Sequence, residues 1–74
     1  MTLDTIKNGR TAVVLQVGRE NLLRKRLLDM GFVPGRMLQV RKTVPNSNVI
    51  IVSLQGYSVA LRRKDVQNIF VREV

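Results

Sequence analysis

Side chains suited to acid–base or metal chemistry are scarce in this chain. Its 74 residues include no histidine and no cysteine, and its five carboxylates are scattered at Asp4, Glu20, Asp29, Asp65 and Glu73. Histidine is the commonest general base and metal ligand, and cysteine thiolates form the other frequent metal sites. Because no two carboxylates have the spacing of a catalytic pair, we expect neither an enzyme nor a resident cofactor or metal ion.

Cationic side chains are abundant, and they include two short runs. Thirteen lysines and arginines against five acidic residues give a net charge of +8. Arg24-Lys25-Arg26 lies between two leucine pairs. The second run, Arg62-Arg63-Lys64, is more typical of a solvated turn than of a binding site. A positive charge of this size attracts nucleic acid, an anionic membrane surface or an acidic protein. We therefore expect a binding or regulatory module, and composition alone does not choose its partner.

The first cationic run lies on a predicted helix over about residues 20–30. At about 100° per residue, three apolar side chains form one stripe and a fourth lies at its margin, so all four are core candidates. The three are Leu23, Leu27 and Met30, and the marginal one is Leu22. A helix of this length is too short to be stable alone in water, so packing must hold it in place.

Leu28 and Arg26 do not fit this amphipathic pattern. Leu28 projects about 100° away from Leu27 and lies nearest Arg24, whereas Arg26 falls at the edge of the apolar stripe. In one interpretation Leu28 packs beneath a loop and Arg26 extends its aliphatic stem along the core. In the other, Arg24, Arg26 and Leu28 form a partner-binding patch.

The remaining sequence predicts short strands separated by turn residues. Gly31 is the residue type that commonly ends a helix, and Pro34-Gly35 is a pair typical of a type II turn. Strands are predicted over residues 11–17, 37–44, 49–54, 57–61 and 69–72, with a single helical turn over residues 62–66. This order indicates a mostly β fold, a small antiparallel barrel with one short inserted helix, in one domain over residues 1–74. No membrane-spanning or signal-peptide pattern is present, so we expect a cytoplasmic protein.

The helix and the turn after it resemble a known family. The run LRKRLLDMGFVPG, from Leu23 to Gly35, resembles the signature R-L-x-x-[LM]-G-[LFI]-x-P-G of the FeoA family, a small cytoplasmic component of bacterial ferrous iron uptake. The segment GYSVALR at residues 56–62 resembles a later strand of that family, and Gly9 with Ala12-Val13-Val14 fits its beginning. The resemblance extends over nearly the whole chain.

This resemblance implies an SH3-like barrel with its helix inserted after the first long strand. It implies an accessory or regulatory role with the membrane transporter FeoB, whose cytoplasmic portion carries a GTP-binding domain, and so a peripheral position at the inner membrane. We expect the stand-alone form, because 74 residues leave no room for the DNA-binding part of the repressors that share this domain. Transition-metal binding is described for the family, but in this sequence iron could bind only through carboxylates, carbonyls or water.

The expected contact surface lies on the helix and the turn. Arg24, Arg26 and Leu28 would contact the transporter, with Phe32 and Pro34-Gly35 shaping the edge of the patch. The alternative function is a basic SH3-like nucleic-acid-binding module, which the charge favours and the small number of aromatic residues disfavours. An anionic membrane surface is a further candidate partner, and the sequence carries no signal for an oligomeric state.

Overall fold

Within residues 1–18 and 22–74, which the computed structural model describes, five antiparallel strands form one sheet. The strands are β1 (Thr11–Val17), β2 (Met37–Val44), β3 (Val49–Leu54), β4 (Tyr57–Arg62) and β5 (Ile69–Glu73). A 3-10 helix (Leu3–Thr5) precedes β1, helix α1 (Leu22–Asp29) connects β1 to β2, and the short helix α2 (Arg63–Val66) connects β4 to β5. The predicted strands, the inserted helix and the helical turn are confirmed; the predicted start of the helix at Glu20 lies outside the described residues.

The strand order β4-β3-β2-β1-β5 brings the two ends of the chain together. Strands β1, β2 and β3 each pair with the next strand along the chain, and β5 returns to pair with β1. The β1 strand contains a bulge where its register against β5 shifts between Val14 and Gln16. Because a bulge bends its strand and re-aims side chains, Leu15 and Gln16 are both exposed between two buried valines.

One apolar core lies beneath this sheet and includes side chains from every strand. The strand alternation is clearest in β3, where Ile50, Val52 and Leu54 are buried and the residues between them are half-buried. The 3-10 helix and α2 close the core with Leu3 and Val66. In the described part of the chain, no helix has the length and apolar character needed to cross a membrane.

Helix α1 contacts this core with only part of its predicted apolar stripe. Leu27 is 1% exposed, and Leu23 and Met30 are partly buried against the core. Leu22 is 80% exposed, so its assignment to the core was wrong. The first turn of α1 therefore points this leucine into solvent, and the last turn provides most of the packing.

The end of α1 is fixed by a glycine and by a tyrosine from β4. Gly31 has a φ of 110°, its N–H donates to Leu28 O at 3.0 Å, and the N–H of Phe32 donates to Leu27 O at 3.0 Å. These two bonds are those of a Schellman motif, as expected for a glycine after a helix. The Tyr57 hydroxyl donates to Met30 O at 2.7 Å, which joins the helix end to the sheet.

Replacing Gly31 by alanine is expected to destabilise the protein more than replacing Gly35. Their φ angles are 110° and 90°, so both alanine variants carry backbone strain of about 1–2 kcal/mol. At Gly31 the new Cβ would also meet the Tyr57 hydroxyl, whereas at Gly35 no described heavy atom beyond the two adjacent residues lies within 4 Å of a Cβ. Free energies of unfolding measured in urea should separate the two variants.

The Tyr57→Phe variant is the control for this contact. It removes the hydroxyl and its hydrogen bond to Met30, which should lower the free energy of unfolding by about 1 kcal/mol. In the double variant with Gly31→Ala the clash is absent, so the loss of stability should be smaller than the sum of the two single losses. Strict additivity would contradict the proposed contact.

Candidate partner-binding site

The six residues predicted to contact a partner differ in their exposure. Arg26, Pro34 and Gly35 are exposed, and Arg24 and Leu28 are half-buried. Phe32 is 0% exposed and belongs to the core. It therefore supports the turn from within, and its expected place at the edge of a contact surface is corrected, because a ring without exposed atoms cannot touch a partner.

Leu28 packs against the core although the helical wheel turns it away from Leu27. It is one of the partly buried apolar residues that contact the core cluster. For Leu28 this placement agrees with the first interpretation, in which it packs inward; Arg26 is exposed. An anchor residue of an interface has to lose water on binding, and Leu28 has already lost much of its water within the folded chain.

The turn formed by Pro34 and Gly35 is rigid and lies against β1. Arg36 N–H donates to Val33 O at 3.1 Å, and Gly35 has a φ of 90°, which together confirm the predicted type II turn. Gly35 N–H donates to Val14 O at 2.8 Å and Val14 N–H donates to Arg36 O at 2.9 Å. These two bonds hold the turn on the strand beside it.

Two exposed apolar side chains that the sequence patterns did not single out flank this turn. Leu15 follows Val14 directly and is 50% exposed, and Met37 follows the turn at the start of β2 and is 49% exposed. We call Leu15, Pro34, Gly35 and Met37 the turn surface. Leu15 points outward next to buried Val14, as strand alternation requires, and the bulge in β1 then turns Gln16 outward as well.

A cationic group lies beside the turn and the helix end. Arg36 Nη1 is 3.5 Å from the position that a Cβ would take at Gly31. A cation near the last turn of a helix interacts favourably with the carbonyl end of the helix dipole. Arg36 thus stabilises the end of α1 and also adds positive charge next to the apolar atoms of the turn surface.

The described part of the chain has no cluster of three or more side chains that could hold a metal ion. With neither histidine nor cysteine in the sequence, the donor set does not fit a resident transition metal. A rigid turn with two exposed apolar side chains and a neighbouring arginine is an arrangement suited to a contact surface.

Comparison with known proteins identifies relatives over almost the entire chain. The FeoA domain model matches residues 1–73. An Fe(2+) transport protein A/Fe(2+) transporter FeoB fusion protein of Porphyromonas gingivalis is 35% identical over 71 residues, which cover 96% of this chain and 8% of the fusion protein. This chain therefore corresponds to a small part of that relative.

Solved structures of FeoA proteins have the same fold. The solution structure of FeoA from Chlorobium tepidum is 34% identical, with a TM-score of 0.90 over 100% of this chain and 70% of that one. A zinc complex of Stenotrophomonas maltophilia FeoA is 25% identical, with a TM-score of 0.85 over 97% of this chain and 89% of that one. It is described as an SH3 domain protein and a candidate activating factor for ferrous iron transport, which confirms the predicted SH3-like fold.

Alanine substitutions in α1 should reproduce the observed order of burial. Leu27→Ala is expected to lower the free energy of unfolding by about 2–5 kcal/mol, because it leaves a cavity in the core. Leu22→Ala should change it by no more than about 0.5 kcal/mol, since that side chain is solvated. Leu28→Ala should fall between them in the same urea experiment. Equal losses at positions 22 and 27 would contradict this placement of the helix.

Proposed function

This chain belongs to the FeoA family, and from that premise we propose that it is an accessory and regulatory protein of bacterial ferrous iron uptake that binds a FeoB-type transporter. The Porphyromonas gingivalis relative carries this proposal, because its description joins Fe(2+) transport protein A and FeoB in one polypeptide. Two domains in one polypeptide meet at an effective concentration of about millimolar, so fusion favours even a weak contact between them. A separate protein needs a surface that makes the same contact from solution.

The turn surface and the exposed Arg26 are the proposed contact region. Leu15 and Met37 supply apolar atoms that a partner can bury, and the type II turn between them is held by backbone hydrogen bonds. A preorganised loop loses little conformational entropy on binding, so more of its contact energy remains as affinity. The neighbouring cations favour an acidic surface on the transporter and increase the rate of encounter.

Regulation in this proposal works through selective binding. A bound protein changes the activity of a transporter only if it binds one conformation more tightly than another. The chemistry of GTP belongs to the transporter, and this chain contributes contacts. The same premise makes it a cytoplasmic protein that is held at the membrane through its partner.

Met37→Glu is expected to weaken binding to the full-length transporter in lipid discs by about tenfold or more, because a carboxylate loses its water in an apolar contact. Ala60→Glu is the matched control, since it places the same charge on an exposed position of the edge strand β4, which β3 separates from β2. Leu28→Glu is unsuitable, because Leu28 packs against the core. Binding can be measured by fluorescence anisotropy, and ferrous iron uptake in cells should fall with Met37→Glu alone.

Empty discs and duplex RNA separate this proposal from its alternatives. Equal binding by the Met37→Glu and Ala60→Glu variants would reject the turn surface as the contact. Binding to duplex RNA without any to the transporter, lost steeply as salt rises, would instead support the nucleic-acid-binding module, because counterion release from phosphates dominates such affinity.

A further inference from the structure

An open cavity of about 490 Å³ lies where the turn between β2 and β3 meets α2. Its lining residues are polar or cationic: Ser47, Asn48, Arg62, Arg63, Lys64 and Gln67. The second cationic run of the sequence, expected to be a solvated turn, thus forms one wall of a depression. Its volume lies within the range of about 300–1,000 Å³ that small-molecule sites occupy.

The walls of this cavity are held by backbone bonds between distant segments. Arg63 N–H donates to Asn48 O at 2.8 Å, which joins α2 to the β2–β3 turn. Asn48 has a φ of 53°, a left-handed conformation that asparagine adopts more readily than most residues, and Ser47 Oγ donates to Val44 O at 3.0 Å. The shape of the cavity therefore belongs to the fold and does not depend on a ligand.

Two cations of the lining are not neutralised by the acidic group nearby. Asp65 is 4% exposed, and its Oδ2 accepts from the backbone N–H of Arg62 at 3.3 Å and from Arg62 Nε at 3.5 Å. Its Oδ1 is buried without a hydrogen-bond partner in the described part of the chain. Asp65 thus compensates Arg62, and the exposed side chains of Arg63 and Lys64 are left to give the cavity a net positive charge.

We propose that this cavity binds a phosphate group. Arg63 can present its guanidinium fork to two phosphate oxygens and Lys64 can add a point charge, the two modes by which proteins hold phosphate. The side-chain amides of Asn48 and Gln67 add neutral donors. Because the cavity is open, the group bound can belong to a larger molecule, such as a soluble polyphosphate or the headgroup of an anionic lipid.

The position of the cavity separates it from the turn surface. The turn surface lies at the start of β2 and the cavity at its end; the steps of about 3.3 Å between its eight residues add up to about 23 Å. A phosphate group and a protein partner can therefore be bound together. Phosphate binding at the cavity is independent of the proposed contact with a transporter, and its test needs no transporter.

The test titrates the isotopically labelled chain with pyrophosphate and follows its backbone amide NMR signals, with sodium chloride at matched ionic strength as the reference. We expect saturable shifts at Asn48, Arg63 and Gln67. The double variant Arg63→Ala/Lys64→Ala should bind pyrophosphate about tenfold more weakly or worse, because two charge-assisted contacts are lost. The matched control is Arg41→Ala/Lys42→Ala, which removes the same charge from exposed positions of β2 outside the cavity.

Lipid is tested as the second source of phosphate with phosphatidylcholine vesicles that contain phosphatidylglycerol. Sedimentation with these vesicles, reduced in the cavity variant and retained in the control, would assign the site to a lipid headgroup; saturation by pyrophosphate without sedimentation would assign it to a soluble ligand. Equal loss in both double variants would show a general charge effect and overturn the proposal. Shifts no larger than those with sodium chloride, together with no sedimentation, would overturn it as well. The NMR spectrum of each variant also reports whether it is folded.

Discussion

The junction between the end of α1 and the sheet is the constraint on which the proposed contact surface depends. An isolated helix of eight residues is unstable in water, so α1 must be held by packing and by its end. The Tyr57 hydroxyl reaches Met30 O across 27 positions of sequence, and Gly31 leaves the space that this hydroxyl occupies. Phe32 then enters the core, which fixes where the chain begins the Pro34-Gly35 turn. A contact made by β4 thus helps to position the turn, and the backbone bonds to Val14 hold it there.

The charged side chains of this molecule contribute little to the stability of its fold. The apolar core and the strand pairing hold the fold, whereas thirteen cations outnumber five acidic residues by eight, so most of the positive charge is not balanced by carboxylates of the chain. Arg10 and Glu73 form an ion pair at 2.8 Å, but both side chains are at least one-third exposed. Such pairs contribute about 0–1 kcal/mol. Mutual repulsion among the remaining cations opposes folding, and a surplus that does not stabilise the fold is available for partners.

The sequence predicted most of the fold because the signals for its elements are local. The alternation in β3, the Pro34-Gly35 turn and the glycine after α1 each act within a few residues. Leu15 and Met37 were not predicted as a surface because their segments are joined only by the backbone bonds between Val14 and the turn, which no local pattern shows. Leu22 was misassigned because a helical wheel shows which way each side chain points around the helix axis, but not which turns of the helix contact the sheet. The cavity depends in turn on the bond from Arg63 to Asn48, which joins residues fifteen positions apart.

The two proposed surfaces share one rigid element, and this limits how they can influence each other. Strand β2 is paired with β1 near its start and with β3 along its length, so neither end can move without breaking a ladder. Coupling through a change of shape requires an element with two arrangements. A rigid body with a contact at each end works differently, because binding at one end fixes the position of the other and raises its effective concentration. Two contacts that are weak separately can thus hold the protein firmly, provided that both ligands lie at the spacing set by β2.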